Sequence, residues 1–127
     1  RRAWHHPSER TRLMVRVDLI ERELATAEAA LKADNDGKAR VCARRAVALA
    51  TEAWLERLPV RKWRGDAMEY LRQIQQDVSF PLPIRQAAER LSTAVPKRHE
   101  APFTADPIGD ARLIIAHLSA NPSGQAP

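Results

Sequence analysis

From Ser8 onward the apolar positions recur at helical spacing. Leu13, Val17, Ile20, Leu24, Ala27 and Leu31 step alternately by four and three residues. That is one seam along a helix of about five turns. Ser8 stands where an N-cap belongs, with Glu9 in the first turn. Arg12, Arg16, Glu23 and Glu28 lie off the seam. The helix is expected to end in "ADNDG", with Gly37 as the left-handed residue that stops it. A second helix is predicted from Lys38 to Leu58. Cys42, Ala46, Leu49 and Ala53 form one stripe, and Val47, Ala50, Trp54 and Leu58 an adjacent one. A face that wide suits the most buried helix of a bundle. The short break "DNDG" predicts an antiparallel hairpin between the two.

Three shorter helices follow in the pattern. Asp66 caps a third, with Ala67, Leu71, Ile74 and Val78 on one face. "SFPLP" breaks it, and Pro83 opens a fourth with Ile84, Ala88, Leu91 and Val95 inward. "PKRHEAPFTADP" reads as a loop. Asp106 and Pro107 open the last helix as cap and first residue, with Ile108, Ala111, Ile115 and Leu118 inward. Residues 1–7 read as a flexible arm, 8–120 as a single domain, and 121–127 as a disordered tail. The predicted fold class is therefore all-α, an up-and-down bundle of five helices, two long and three short.

Composition agrees with helix: only 4 of the 127 residues are glycine, and nothing alternates long enough for a sheet. The chain is of ordinary single-domain length. Its single cysteine, Cys42, has no partner for an internal disulfide, so a cytoplasmic setting is expected. No apolar run approaches the roughly 20 residues of a membrane span, and no signal-peptide core is visible. Residue 1 is Arg, so residues upstream of it are expected. The net charge of +5 is uneven. Residues 1–64 hold 15 Lys/Arg against 9 Asp/Glu, and residues 65–127 hold 6 against 7. A basic half suits an acidic partner or nucleic acid, or is simply a solvated surface.

Candidate chemistry is sparse. The four histidines, His5, His6, His99 and His117, do not pair at metal-ligand spacing on a helix, so no metal and no cofactor are expected. "DNDG" lacks the alternating oxygen ligands of a calcium loop. No phosphate loop or nucleophile elbow is present. The turn "RLPVRKWRG" gathers Arg57, Arg61, Lys62 and Arg64 around Trp63. An exposed aromatic among cations would suit a single-stranded nucleic acid; a Trp63 folded onto the core would leave only solvated cations. Arg40 and Arg44 lie one turn apart on the second helix and could grip a phosphate, or pair with Asp36 and Glu52. Arg112 and His117, in "GDARLIIAHLS", are types that cleave RNA without metal, the histidine as base for the 2′-hydroxyl and the arginine as anchor for the scissile phosphate. Five positions set them roughly 140° apart on a helix, so they meet only in a cleft shared with another helix, most simply across a dimer axis.

The stretch "KARVCARRAVALATEAWLERLP", after a helix ending in "ALKADNDG", resembles the first two helices of HEPN domains. "AERLSTAVPKRHEAPF" and "DARLIIAHL" resemble that family's last loop and closing helix, and the likeness spans residues 13–118. The resemblance implies a helical bundle, commonly a homodimer. One branch of the family comprises metal-independent ribonucleases, often toxins of toxin–antitoxin pairs, with an Arg-to-His motif that Arg112 and His117 match in spacing. The other branch lacks activity and often accompanies a nucleotidyltransferase or binds nucleotides. Leu113 follows Arg112 where the catalytic branch usually has a polar residue, so the non-catalytic branch is preferred. The expected function is a binding module for nucleotide, nucleic acid or a partner protein. The alternatives are a ribonuclease using Arg112 and His117, and a helical-repeat adaptor; the latter is disfavoured because the hairpin has no second copy.

Overall fold

Short caps and turns set the element order. A computed structural model describes residues 8–93 and 106–120. It contains α1 (Glu9–Lys32), α2 (Asp36–Arg57), α3 (Ala67–Gln76), α4 (Leu82–Ser92) and α5 (Pro107–Ala120), with no strand among the described residues. The expected all-α arrangement of two long and three short helices is what forms. The expected arm and tail, Val95, and the loop before α5 lie outside the described residues.

The Ser8 hydroxyl accepts from the Thr11 N–H at 3.1 Å and starts α1. Its end differs from expectation. Asp34, at φ 56°, takes the left-handed position. The Asp34 N–H bonds to Leu31 O and the Asn35 N–H to Ala30 O, closing the last turn. Asn35 then caps α2, its Oδ1 accepting from the Lys38 N–H at 3.1 Å. Gly37 therefore sits inside the first turn of α2 rather than ending α1. The turn is shorter than "ADNDG" suggests because Asn35 serves both helices. Asp66 caps α3 as expected, accepting from the Glu69 N–H. Gly65 precedes it at φ 137°, and a Cβ there would lie 2.8 Å from the Glu69 side chain. Asp106 caps α5 through the Gly109 N–H at 2.8 Å.

The hairpin of α1 and α2 is antiparallel, and α2 also packs on α3, α4 and α5. Ala39, Ala43, Ala46 and Ala50 are buried along α2, and Ala27 and Ala30 along α1. Small side chains let helix axes approach closely. Larger residues fill the space between layers: Leu24, Val47, Leu55, Leu71, Ile74, Leu91, Ile114 and Leu118 are almost wholly buried. Each stabilises the fold by about 1.5–3 kcal/mol relative to exposure. Trp54, Trp63 and Phe80 close one end as an aromatic cluster, with ring centroids 5.1–5.9 Å apart.

Several inward positions differ from the periodic reading. Ile114 is fully buried and Ile115 only partly. Leu49, Ala53 and Leu58 are half-buried. Val78 is 83% exposed, because Asp77 Oδ1 accepts from both the N–H and the hydroxyl of Ser79 and turns the chain out of the helix. The largest difference is in α1. The seam is buried at Ile20, Leu24 and Ala27, yet Leu13 is 51% and Val17 49% exposed. Among the described residues, nothing covers that end of the seam beyond the last turns of α2.

Candidate functional site

Five of the basic residues singled out in the sequence, Arg40, Arg44, Arg57, Arg61 and Lys62, bond within the bundle. Arg40, only 3% exposed, donates to Thr93 O and to Arg90 O. Arg44 donates from Nε to Leu91 O at 2.8 Å and from Nη2 to Thr93 O. Two guanidinium groups on one face of α2 thus satisfy carbonyls at the C-terminal end of α4, where the helix dipole favours cations. Burial lowers the pKa of both from the ordinary arginine value. Of the carboxylates expected to pair with them, Asp36 acts on Arg40 electrostatically, while Glu52 bonds to Arg61 and Tyr70. Arg57 serves α5 in the same way, donating to Leu118 O at 3.0 Å.

Glu52 accepts from Arg61 Nη2 at 2.9 and 3.0 Å and from the Tyr70 hydroxyl. Burial would raise its pKa, but the bonds from Tyr70 and Arg61 outweigh burial and hold it below the ordinary value. Lys62 pairs with Asp77 at 2.7 Å. Its ammonium also lies 5.6 Å from the Trp63 ring centroid and 6.0 Å from that of Trp54. Trp63 itself is 8% exposed. It has folded onto the core, so it presents no free face for a base to stack on. Of the residues of the basic turn, Arg57, Arg61 and Lys62 are engaged within the chain, and Arg64 is exposed.

Arg112 and His117 occupy α5 but face different surroundings. The exposed Arg112 reaches across to α1, with Nη2 3.1 Å from Glu28 and Nη1 3.9 Å from Glu21. His117 is half-buried against Phe80. Burial lowers its pKa, and Nε2 is buried without a hydrogen-bond partner. The structure does not bring the two side chains together within one chain. No group of three or more His, Cys, Asp or Glu among the described residues is placed to hold a metal.

Sequence reasoning missed three features. Arg90 and the buried Asp110 form an ion pair at 2.8 Å that joins α4 to α5. A cleft of about 330 Å³ between α1, α2 and the start of α3 is lined by Glu23, Arg45, Leu49, Glu52, Asp66 and Tyr70, among others. The third is the N-terminal half of α1. Leu13, Met14, Val15, Val17 and Leu19 are 40–61% exposed, although they point to several sides of the helix. They emerge between Arg12, Arg16 and Asp18, and apolar side chains grouped in this way are ordinarily covered. The signal was legible, since Met14, Val15 and Leu19 stand off the seam.

Comparison of the chain with protein-family models, with curated proteins and with solved structures finds no match. Among the described residues, fold and site define an all-α, five-helix bundle with arginine-capped helix ends and a group of exposed apolar side chains on the N-terminal half of α1. No helix among the described residues is long and apolar enough to cross a membrane.

Proposed function

We propose that the protein is a non-catalytic helical interaction module that docks a partner protein through the N-terminal half of α1. The observation that carries this reading is the exposure of Leu13, Met14, Val15, Val17 and Leu19 within about two turns. Leu13, Met14 and Val17 adjoin on one side of the helix, and an exposed apolar patch marks an interaction site. The engagement of Arg40, Arg44, Arg57, Arg61 and Lys62 within the chain favours a protein partner over nucleic acid or a nucleotide. Two long antiparallel helices followed by three short ones accord with a HEPN-like bundle, and the divergence of Arg112 and His117 favours its non-catalytic branch, with a nucleotidyltransferase as a fitting hetero-partner.

Photo-crosslinking tests the reading. A benzoylphenylalanine at Met14 or Val15 in producing cells should give one adduct of defined mass. The same group at the exposed Val78 should give none. Absence of an adduct at all five apolar positions of α1 would refute the proposal.

One observation favours a second reading, a metal-independent ribonuclease: burial keeps His117 in the neutral form that a general base needs. Its test is RNA cleavage in EDTA that is lost in both Arg112→Ala and His117→Ala. The divergence of the two side chains leads us to expect no such cleavage.

A further inference from the structure

We infer that the occupant of this face is a second copy of the chain, its α1 lying antiparallel to the first across a twofold axis. The inference rests on the docking role of α1 proposed above. At 100° per residue, Arg10, Leu13, Met14, Val17 and Glu21 share a sector of about 100°. Three apolar residues are therefore bracketed by a cation at one end and an anion at the other. Leu13 is 51%, Met14 61% and Val17 49% exposed. Arg10 and Glu21 are exposed as well.

This order of charge is self-complementary in one orientation. When two copies run antiparallel with Met14 of each level with Val17 of the other, Arg10 of each comes level with Glu21 of the other. Leu13 then falls between the levels of Val17 and Glu21 in the second copy. A parallel pair would instead set Arg10 against Arg10 and Glu21 against Glu21. Like charges opposed in that way are repulsive, so the face selects the antiparallel, isologous pairing. Within its own chain Glu21 lies 3.9 Å from Arg112, whose nearer partner is Glu28 at 3.1 Å. Turning Glu21 toward a second copy therefore leaves Arg112 paired. An apolar seam of three side chains per copy is at the small end of specific interfaces, so association depends on concentration.

The test is the mass of the purified protein by light scattering over a concentration series at low salt. The expected result is a shift toward twice the chain mass as concentration rises. Val17→Asp should stay monomeric, and Val78→Ser should behave as the parent. Arg10→Glu and Glu21→Arg should each raise the dissociation constant about tenfold, since two symmetry-related pairs turn repulsive. The double variant Arg10→Glu/Glu21→Arg should restore it. All four changed positions are exposed, and unchanged helicity by circular dichroism confirms that the variants fold. A monomer at every concentration overturns the inference, and so does a dimer whose strength the single charge swaps leave unchanged or the double swap does not restore. A monomer that still gives one heterologous adduct through Met14 overturns the second copy alone. Absence of any adduct overturns the docking role itself.

Discussion

The imidazole of His117 lies against the ring of Phe80, with centroids 5.4 Å apart and planes tilted by 59°. That contact carries the histidine from the end of α5 onto the aromatic cluster of Trp54, Trp63 and Phe80. Burial there lowers its pKa. The unfolded chain therefore binds a proton that the folded chain resists. Well above the ordinary histidine pKa of about 6.5, both states are neutral and stability is unaffected. As pH falls through that value, the unfolded state gains protons and the folded state is destabilised. We predict a decline in melting temperature between pH 7 and 5 that is largely absent in His117→Phe. Glu52 and Asp77 also have depressed pKa values, but the stability they confer is lost only at lower pH, as carboxylates protonate. An equal decline in parent and variant across pH 7 to 5 would disprove the role of His117.

Arg40 supports the end of α4 from within the bundle. Replacing it with Met keeps most of the aliphatic stem but leaves the carbonyls of Arg90 and Thr93 without this donor. Loss of charge-assisted hydrogen bonds at a buried site should cost about 2–3 kcal/mol in urea denaturation. Arg45→Met, at an exposed position of the same helix, should change stability by no more than about 0.5 kcal/mol. Similar effects at the two positions would contradict the capping role.

Trp63 separates a structural turn from a binding turn. Its ring lies 5.1 Å from Trp54 and 5.9 Å from Phe80 between centroids, and Lys62 sits above it. Trp63→Ala should destabilise the protein by about 3–5 kcal/mol, as loss of a large buried aromatic does. Trp63→Phe should cost much less. A base-stacking Trp would behave differently: its removal would leave the melting temperature nearly unchanged. Thermal unfolding of the two variants distinguishes these outcomes.

Most of the helix order was legible because its punctuation is local. Ser8, Asp66 and Asp106 cap helices through bonds to residues three positions ahead, and a sequence displays such spacing directly. Cover is not local. The four–three step that buries Ile20 and Leu24 continues back through Val17 to Leu13, but periodicity does not reveal where the neighbouring helices stop. The same holds for the candidate site. Arg40 and Arg44 were visible as a pair on one face, yet the carbonyls they satisfy lie about fifty residues away in the chain. Arg112 and His117 had the spacing of a site, while their partners, Glu28 and Phe80, belong to other elements and pull them apart. Val78 shows a subtler failure: the side chain of Asp77 captures the backbone, and the helix ends at Gln76, two residues before the apolar period does.

The turn between α1 and α2 offers a test of where the chain needs glycine. Asp34 holds the left-handed conformation at φ 56°, which an L-residue adopts at a cost and glycine adopts freely. Gly37 lies in the first turn of α2, where the nearest atom to an added Cβ is Asn35 Oδ1 at 4.0 Å. The glycine thus stands three positions beyond the residue that would use it. Asp34→Gly should stabilise the protein by about 0.5 kcal/mol, because relief at the left-handed position is partly offset by the freedom glycine adds to the unfolded chain. Gly37→Ala should stabilise it by about 0.5–1 kcal/mol through helix propensity and reduced unfolded-state entropy. The two positions lie in one turn, so the double variant also measures their coupling. Urea midpoints at unchanged slope would report these gains. If Gly37 were the left-handed stop that its place in "ADNDG" suggests, Gly37→Ala would destabilise the protein, and the sign of that one measurement decides between the two arrangements.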